Sequence, residues 1–192
     1  MNFESYTIVL TGLGGQGLIL LLQILGNALM NEGYKVITSE THGLSQRGGK
    51  VTCFLRFGKD QYAPIPLLAS ADMIIALEES CILDVLKYAK PDKSTNLIIS
   101  TYEKHEFDTE YPPLEYILEI LCENSENIHF IPVNEIAVKS TGNLKPMNIV
   151  VLGYTLRFLP IKKEVVENTI HDYFSGKKLE INLKAYKEGL NL

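Results

Sequence analysis

The sequence predicts an α/β fold: a Rossmann-like, mainly parallel sheet with helices on both faces and a helical C-terminal part. Three observations carry this. Short apolar runs of strand length alternate with helical periods up to residue 132. The first run ends in a glycine-rich turn that opens a helix. From residue 134 onward the strand signal stops and helical periods take over.

Residues 6–12 (YTIVLTG) form the first buried strand, and residues 15–31 a helix apolar on most sides, as expected of a helix packed on both faces. Gly33 suits its C-terminal cap. Residues 35–39 and 51–57 are the next strands, separated by a loop rich in glycine and serine. Pro64 and Pro66 mark an irregular connection. Residues 72–77, 96–100 and 128–132 repeat the strand signal. Residues 79–89 and 114–123 have helical spacing between them. Three further helices are expected over 146–159, 162–174 and 179–188. Nothing in the 192 residues reads as an interdomain linker, so a single domain over 1–192 is expected.

Composition narrows the function classes. The chain is 46% hydrophobic and 21% charged, enough for a sizeable core and a soluble surface. Its net charge of -5 argues against a nucleic-acid partner. No apolar run approaches the ~20 residues a membrane span needs, and the N-terminus lacks the positive region of a signal peptide. A cytoplasmic protein is expected. Cys53, Cys81 and Cys122 are scattered, as free thiols in a reducing compartment would be. They lack the close spacing of iron–sulfur ligands, of which about four are needed. No spacing of histidine with histidine or cysteine suggests a metal site: His105, His129 and His171 stand apart.

The turn Gly12-Leu13-Gly14-Gly15-Gln16-Gly17 follows a strand and starts a helix, the context that gives G-x-G-x-x-G its meaning. Backbone N–H groups and the helix dipole there favour an anion. A dinucleotide would also want an acid at the end of the second strand, and Glu40 lies near that place. The alternative is that the glycines only allow close helix–sheet packing and that Glu40 is a loop carboxylate. Gly15 and Gln16 are not required by the dinucleotide pattern.

The stretch from Ser39 to Val51 is richer in chemistry. It holds Glu40, Thr41, His42, Gly43, Leu44, Ser45, Gln46, Arg47, Gly48, Gly49 and Lys50. It follows a strand's carboxyl end, where open α/β sheets bind ligands. Arg47 offers a fixed fork of donors for a carboxylate or phosphate, and His42 can carry a proton near neutral pH.

Together, Gly12 to Gly17 and Thr41 to Gly49 resemble the gamma-type domain of the 2-oxoacid:ferredoxin oxidoreductases, with the pattern of the indolepyruvate:ferredoxin oxidoreductase beta subunit. Tyr62-Ala63-Pro64-Ile65-Pro66, Ala71 to Glu78 and Met147 to Gly153 look like the same family. The resemblance spans roughly residues 7 to 175. Lys50 departs from it, since a small residue is expected there.

The resemblance implies an enzyme subunit inactive by itself. A large partner would hold thiamine diphosphate, magnesium and [4Fe-4S] clusters, with ferredoxin as electron acceptor, coenzyme A as co-substrate and an aryl pyruvate as the substrate. This chain, lacking both cluster cysteines and a G-D-G stretch for the diphosphate, would hold no cofactor. His42, Gln46 and Arg47 would line the substrate or coenzyme A approach. Gly12, Gly14, Gly15, Gln16, Gly17, Glu40, Gly48 and Gly49 would form the ligand-facing turns. Two other functions stay open from the residues: a self-contained dinucleotide-binding oxidoreductase, and an assembly module whose turn binds nothing. Apolar surface meant for a partner could pair two isolated copies.

Glu78 and Glu79, after a strand and before a helix, could face the same cleft, but capping and solvating a helix start is the expected role. Asn148 suits either a cleft contact or a structural hydrogen bond.

Overall fold

The computed structural model describes residues 4–42, 49–59, 63–104 and 110–192. Its strands are β1 (Ser5–Leu13), β2 (Lys35–His42), β3 (Lys50–Gly58), β4 (Met73–Ala76), β5 (Asn96–Ser100) and β6 (Asn127–Ile131). Its helices are α1 (Leu18–Asn31), α2 (Leu114–Asn124), α3 (Val133–Thr141), α4 (Met147–Thr155), α5 (Lys163–Tyr173) and α6 (Gly176–Leu190).

The strands form one six-stranded sheet in the order β2-β3-β1-β4-β5-β6. β1, β4, β5 and β6 pair in parallel, whereas β3 is antiparallel to both β1 and β2. The sheet is therefore mixed, with β3 running against the other described strands. A β2–β3 pair closed by a loop reverses direction without a crossover helix, and parallel pairs need such a helix.

The period-2 rule explains the two cores. Tyr6, Ile8 and Leu10 of β1 join a cluster with residues of α1, α4, α5 and α6. Val9, pointing the other way, joins Phe54, Ile74, Leu97 and, from α2, Ile117 and Leu121. Helices thus cover both faces. Helix α1 lies between the sheet and α5, which accounts for its apolar residues on most sides. Helix α4 is buried except at Tyr154. It crosses α6 at backbone contact: a Cβ added to Gly189 would lie 2.0 Å from the Val150 carbonyl oxygen.

Three local expectations need correction. α1 starts at Leu18, not residue 15, because Gly15 and Gly17 hold φ of 98° and 77°, outside the helical region. Residues 79–89 form two 3₁₀ turns, Glu79–Asp84 and Leu86–Tyr88, instead of one helix. The carbonyls of Lys87 and Tyr88 accept from Ala69 and Ala71, and Ala89 bridges to Ala71, so the end of the segment is drawn against the chain leading into β4. Helix α3 was not anticipated. It buries only Val133 and Ala137, too sparse a stripe to show as a period, although Gly142 at φ 70° closes it as a left-handed cap. Among the described residues, no helix is long and apolar enough to cross a membrane.

Candidate functional site at the carboxyl rim of the sheet

β1 and β4 separate at the switch point of the sheet, where α/β folds place ligands. Here that position is filled by protein. The Gln16 side chain folds back over Gly12: its Oε1 accepts from the Leu13 N–H at 2.6 Å, and its Nε2 donates to the Leu77 carbonyl at 3.0 Å. A Cβ on Gly12 would lie 2.7 Å from Gln16 Oε1. The Gly14 N–H donates to the Gly49 carbonyl at 3.0 Å. Gly17 backs onto Asn148, whose Nδ2 donates to the Gly17 carbonyl at 2.9 Å. Asn148 is 2% exposed and its bond is structural, fixing the start of α4 against the start of α1.

The first glycine turn therefore meets Gly49, the last residue of the second glycine-rich stretch. Leu13 pairs with Lys50 and Gly12 with Val51, and the backbone of His42 pairs with Val51 from the far side. The His42 side chain and the expected residues Gln46, Arg47 and Gly48 lie outside the described residues, as does His105. Glu40 falls elsewhere than a dinucleotide acid should. It pairs with Cys53 of β3, which in turn pairs with Leu10 of β1. With β3 interposed, Glu40 stands two strand spacings, roughly 10 Å, from β1. A dinucleotide site requires the acid on the strand adjoining the glycine turn.

Two clefts open on either side of Leu13, with Lys104 in both. One, about 340 Å³, is lined by Gly49, Lys50, Glu78, Asp84 and Tyr111 among others. The other, about 270 Å³, lies between Gly14, Gly15, Gln16, Tyr102, Lys145 and Met147. Glu78 caps the first 3₁₀ turn, as expected, but at 1% exposure it is not solvated. Its carboxylate accepts from Cys81 N–H at 3.0 Å, Ser80 Oγ at 2.8 Å and the Tyr111 hydroxyl at 2.7 Å. Burial, and then that bond to Glu78, push the Tyr111 hydroxyl far above its ordinary value. Lys50, unexpected from the family pattern, reaches Asp84 at 2.6 Å. Burial works against its charge, but the Asp84 carboxylate outweighs this and the ammonium is held above its usual value. Both partners are half-exposed, so the pair adds little stability.

Glu79 is not solvated as expected: it is 3% exposed, and its Oε1 has no hydrogen-bond partner among the described residues. Burial raises its carboxyl above the usual range, with Glu103 and Glu78 adding to the effect. Burial also pushes the Cys53 thiol up to about 12, with Glu40 contributing, so the thiolate needed for reactivity is suppressed. Among the described residues, no group of three or more His, Cys, Asp or Glu is placed to hold a metal ion.

Sequence reasoning missed Tyr111, Lys104 and Lys145 as rim residues. They arrive from two separate connections, Lys104 and Tyr111 between β5 and α2 and Lys145 between α3 and α4, with no local motif, so only the strand order brings them together.

A mixed, Rossmann-like α/β sheet whose glycine turn at the carboxyl rim is covered by its own Gln16 side chain defines the class of fold. Residues 7–192 match the family described as pyruvate ferredoxin/flavodoxin oxidoreductase, and the chain belongs to that family. It is a small subunit of a 2-oxoacid:ferredoxin oxidoreductase. It is similar to the indolepyruvate oxidoreductase subunit IorB of Archaeoglobus fulgidus, 37% identical over 194 residues covering 96% of this chain and 93% of that protein. Its fold is similar to the pyruvate oxidoreductase subunit PORC of Thermotoga maritima, with TM-score 0.74, 19% identity, and coverage of 98% and 97%. The 2-oxoglutarate:ferredoxin oxidoreductase of Magnetococcus marinus matches with TM-score 0.75 and 20% identity, over 99% of this chain but 31% of that one. There the same fold is one part of a longer polypeptide.

Proposed function

We propose that the chain, as a single cytoplasmic domain, completes an indolepyruvate-type oxidoreductase acting on aryl pyruvates. A larger partner carries thiamine diphosphate, magnesium and [4Fe-4S] clusters, which supply decarboxylation and carry the two electrons singly to ferredoxin. Carbon dioxide is released and the acyl group passes to coenzyme A. The glycine loops face the partner, and His42, Gln46 and Arg47 line the approach of the 2-oxoacid or coenzyme A. Arg47 supplies a fork for a carboxylate or phosphate. His42 holds or moves a proton near neutral pH. Gly12, Gly14, Gly15, Gln16, Gly17, Gly48 and Gly49 shape the floor. Glu40 stands at the flank.

The observation that supports this best is the Gly14 N–H bond to the Gly49 carbonyl, which ties the first family motif to the end of the second beside the clefts. The test is Arg47→Ala in the complex reconstituted with its large partner. Loss of a charge-assisted contact worth about 1.5–3 kcal/mol raises KM for the 2-oxoacid or coenzyme A by roughly tenfold or more. Unchanged kinetics for both substrates would remove Arg47 from the site.

A further inference from the structure

In a dinucleotide turn the first glycine permits the tight bend, the second lets the backbone approach the diphosphate, and the third lets the helix pack closely. In this chain a protein group meets each glycine. Gln16 lies over Gly12, Gly49 accepts from the Gly14 N–H, and Asn148 packs on Gly17. The first of these decides ligand access. Gln16 Oε1 takes the Leu13 N–H, a backbone donor at the mouth of the turn, while its Nε2 holds the carbonyl of Leu77 beyond β4. One carboxamide thus spans the crevice between β1 and β4 and satisfies a donor on one side and an acceptor on the other.

We propose that Gln16 is a specificity residue: its carboxamide is a built-in surrogate for a bound phosphate, and it keeps the glycine turn from taking a diphosphate. A phosphate oxygen could accept from Leu13 N–H as Gln16 Oε1 does, but it could not donate to Leu77. The amide therefore fits this turn better than an anion does. Shortening Gln16 frees the Leu13 N–H and opens the crevice toward the start of α1, whose first-turn N–H groups have no intrahelical acceptor. The helix dipole then favours an anion there. The interposed β3 and the displaced Glu40 still leave the ribose unrecognised, so the emptied turn binds diphosphate rather than a whole dinucleotide.

The experiment titrates inorganic pyrophosphate into the purified full chain, wild type and Gln16→Ala, by calorimetry and by thermal melting. The wild type is expected to show no saturable binding and no shift in Tm. The Gln16→Ala chain is expected to melt earlier, to bind saturably, and to regain about 3–5 °C at tenfold excess over Kd. Saturable binding by the wild type overturns the proposal, and so does a folded Gln16→Ala chain that does not bind. Gln16→Ser, which keeps a polar group, replaces the alanine variant if that one fails to fold. Hydrogen exchange at the Leu13 amide of the wild type decides independently of any variant. Strong protection is expected, and exchange at the rate of an open loop overturns the plug.

Discussion

Gly17→Ala probes the joint on which the rim depends. Gly17 sits at φ 77°, and a left-handed conformation costs an L-residue about 1–2 kcal/mol. The new Cβ would lie 2.5 Å from Asn148 Nδ2, so the amide must move and its 2.9 Å bond to the Gly17 carbonyl is lost. A broken hydrogen bond with a buried partner left unpaired adds about 1–3 kcal/mol. The sum is about 2–5 kcal/mol. For a chain of this size each kcal/mol shifts Tm by about 2–4 °C, so a fall of roughly 4–20 °C is expected in a thermal melt. Asn148→Ala alone costs about 1–3 kcal/mol. In that background the clash is gone, and Gly17→Ala should cost only its backbone part, about 1–2 kcal/mol. The double-mutant cycle should therefore show a coupling of about 1 kcal/mol or more. Costs that add within ~0.5 kcal/mol would refute the contact.

Gly189→Ala places a methyl 2.0 Å from the Val150 carbonyl and should force α4 and α6 apart, with a cost of about 3 kcal/mol or more read as lost soluble yield or a lowered Tm. Glu79→Gln should stabilise the chain at neutral pH. The folded-state carboxyl is raised, so the native state binds more protons than the unfolded one, and stability falls as pH rises through that window. The glutamine variant should flatten this slope and match the wild type at acid pH in melts across pH. His129 behaves in the opposite sense. Burial, then Arg157, lower its affinity for a proton, so stability is lost as pH falls below the imidazole range. His129→Gln should shrink that loss, and an unchanged acid limb would contradict the assignment.

The strands were the legible part of the fold, because a buried strand announces itself as an apolar run whatever its neighbours. The 96–100 run coincides with β5 (Asn96–Ser100), and the others differ from their strands mainly at the ends. The direction of β3 was not legible. Its alternation of inward Cys53 and Leu55 with Thr52 and Arg56 looks the same in a parallel or an antiparallel partner. The second 3₁₀ turn was hidden because its carbonyls at Lys87 and Tyr88 are claimed by Ala69 and Ala71, residues on a different connection. At the rim, Gly12 to Gly17 was recognisable as a turn, but its occupant was not. Gln16 looks like an extra residue in a binding motif until Leu77, 61 positions away, supplies the acceptor for its amide. Asn148 was ambiguous for the same reason, its partner Gly17 being 131 positions distant.

The measurement that bears most directly on the account is anaerobic purification of the affinity-tagged chain from its native cells, followed by a 2-oxoacid-dependent viologen reduction assay. A larger chain in stoichiometric amount, carrying thiamine diphosphate and iron–sulfur absorbance, with activity that vanishes when the two are separated, is the expected result. A solitary chain that oxidises an aryl pyruvate unaided, or that retains a nicotinamide or flavin nucleotide, would contradict it.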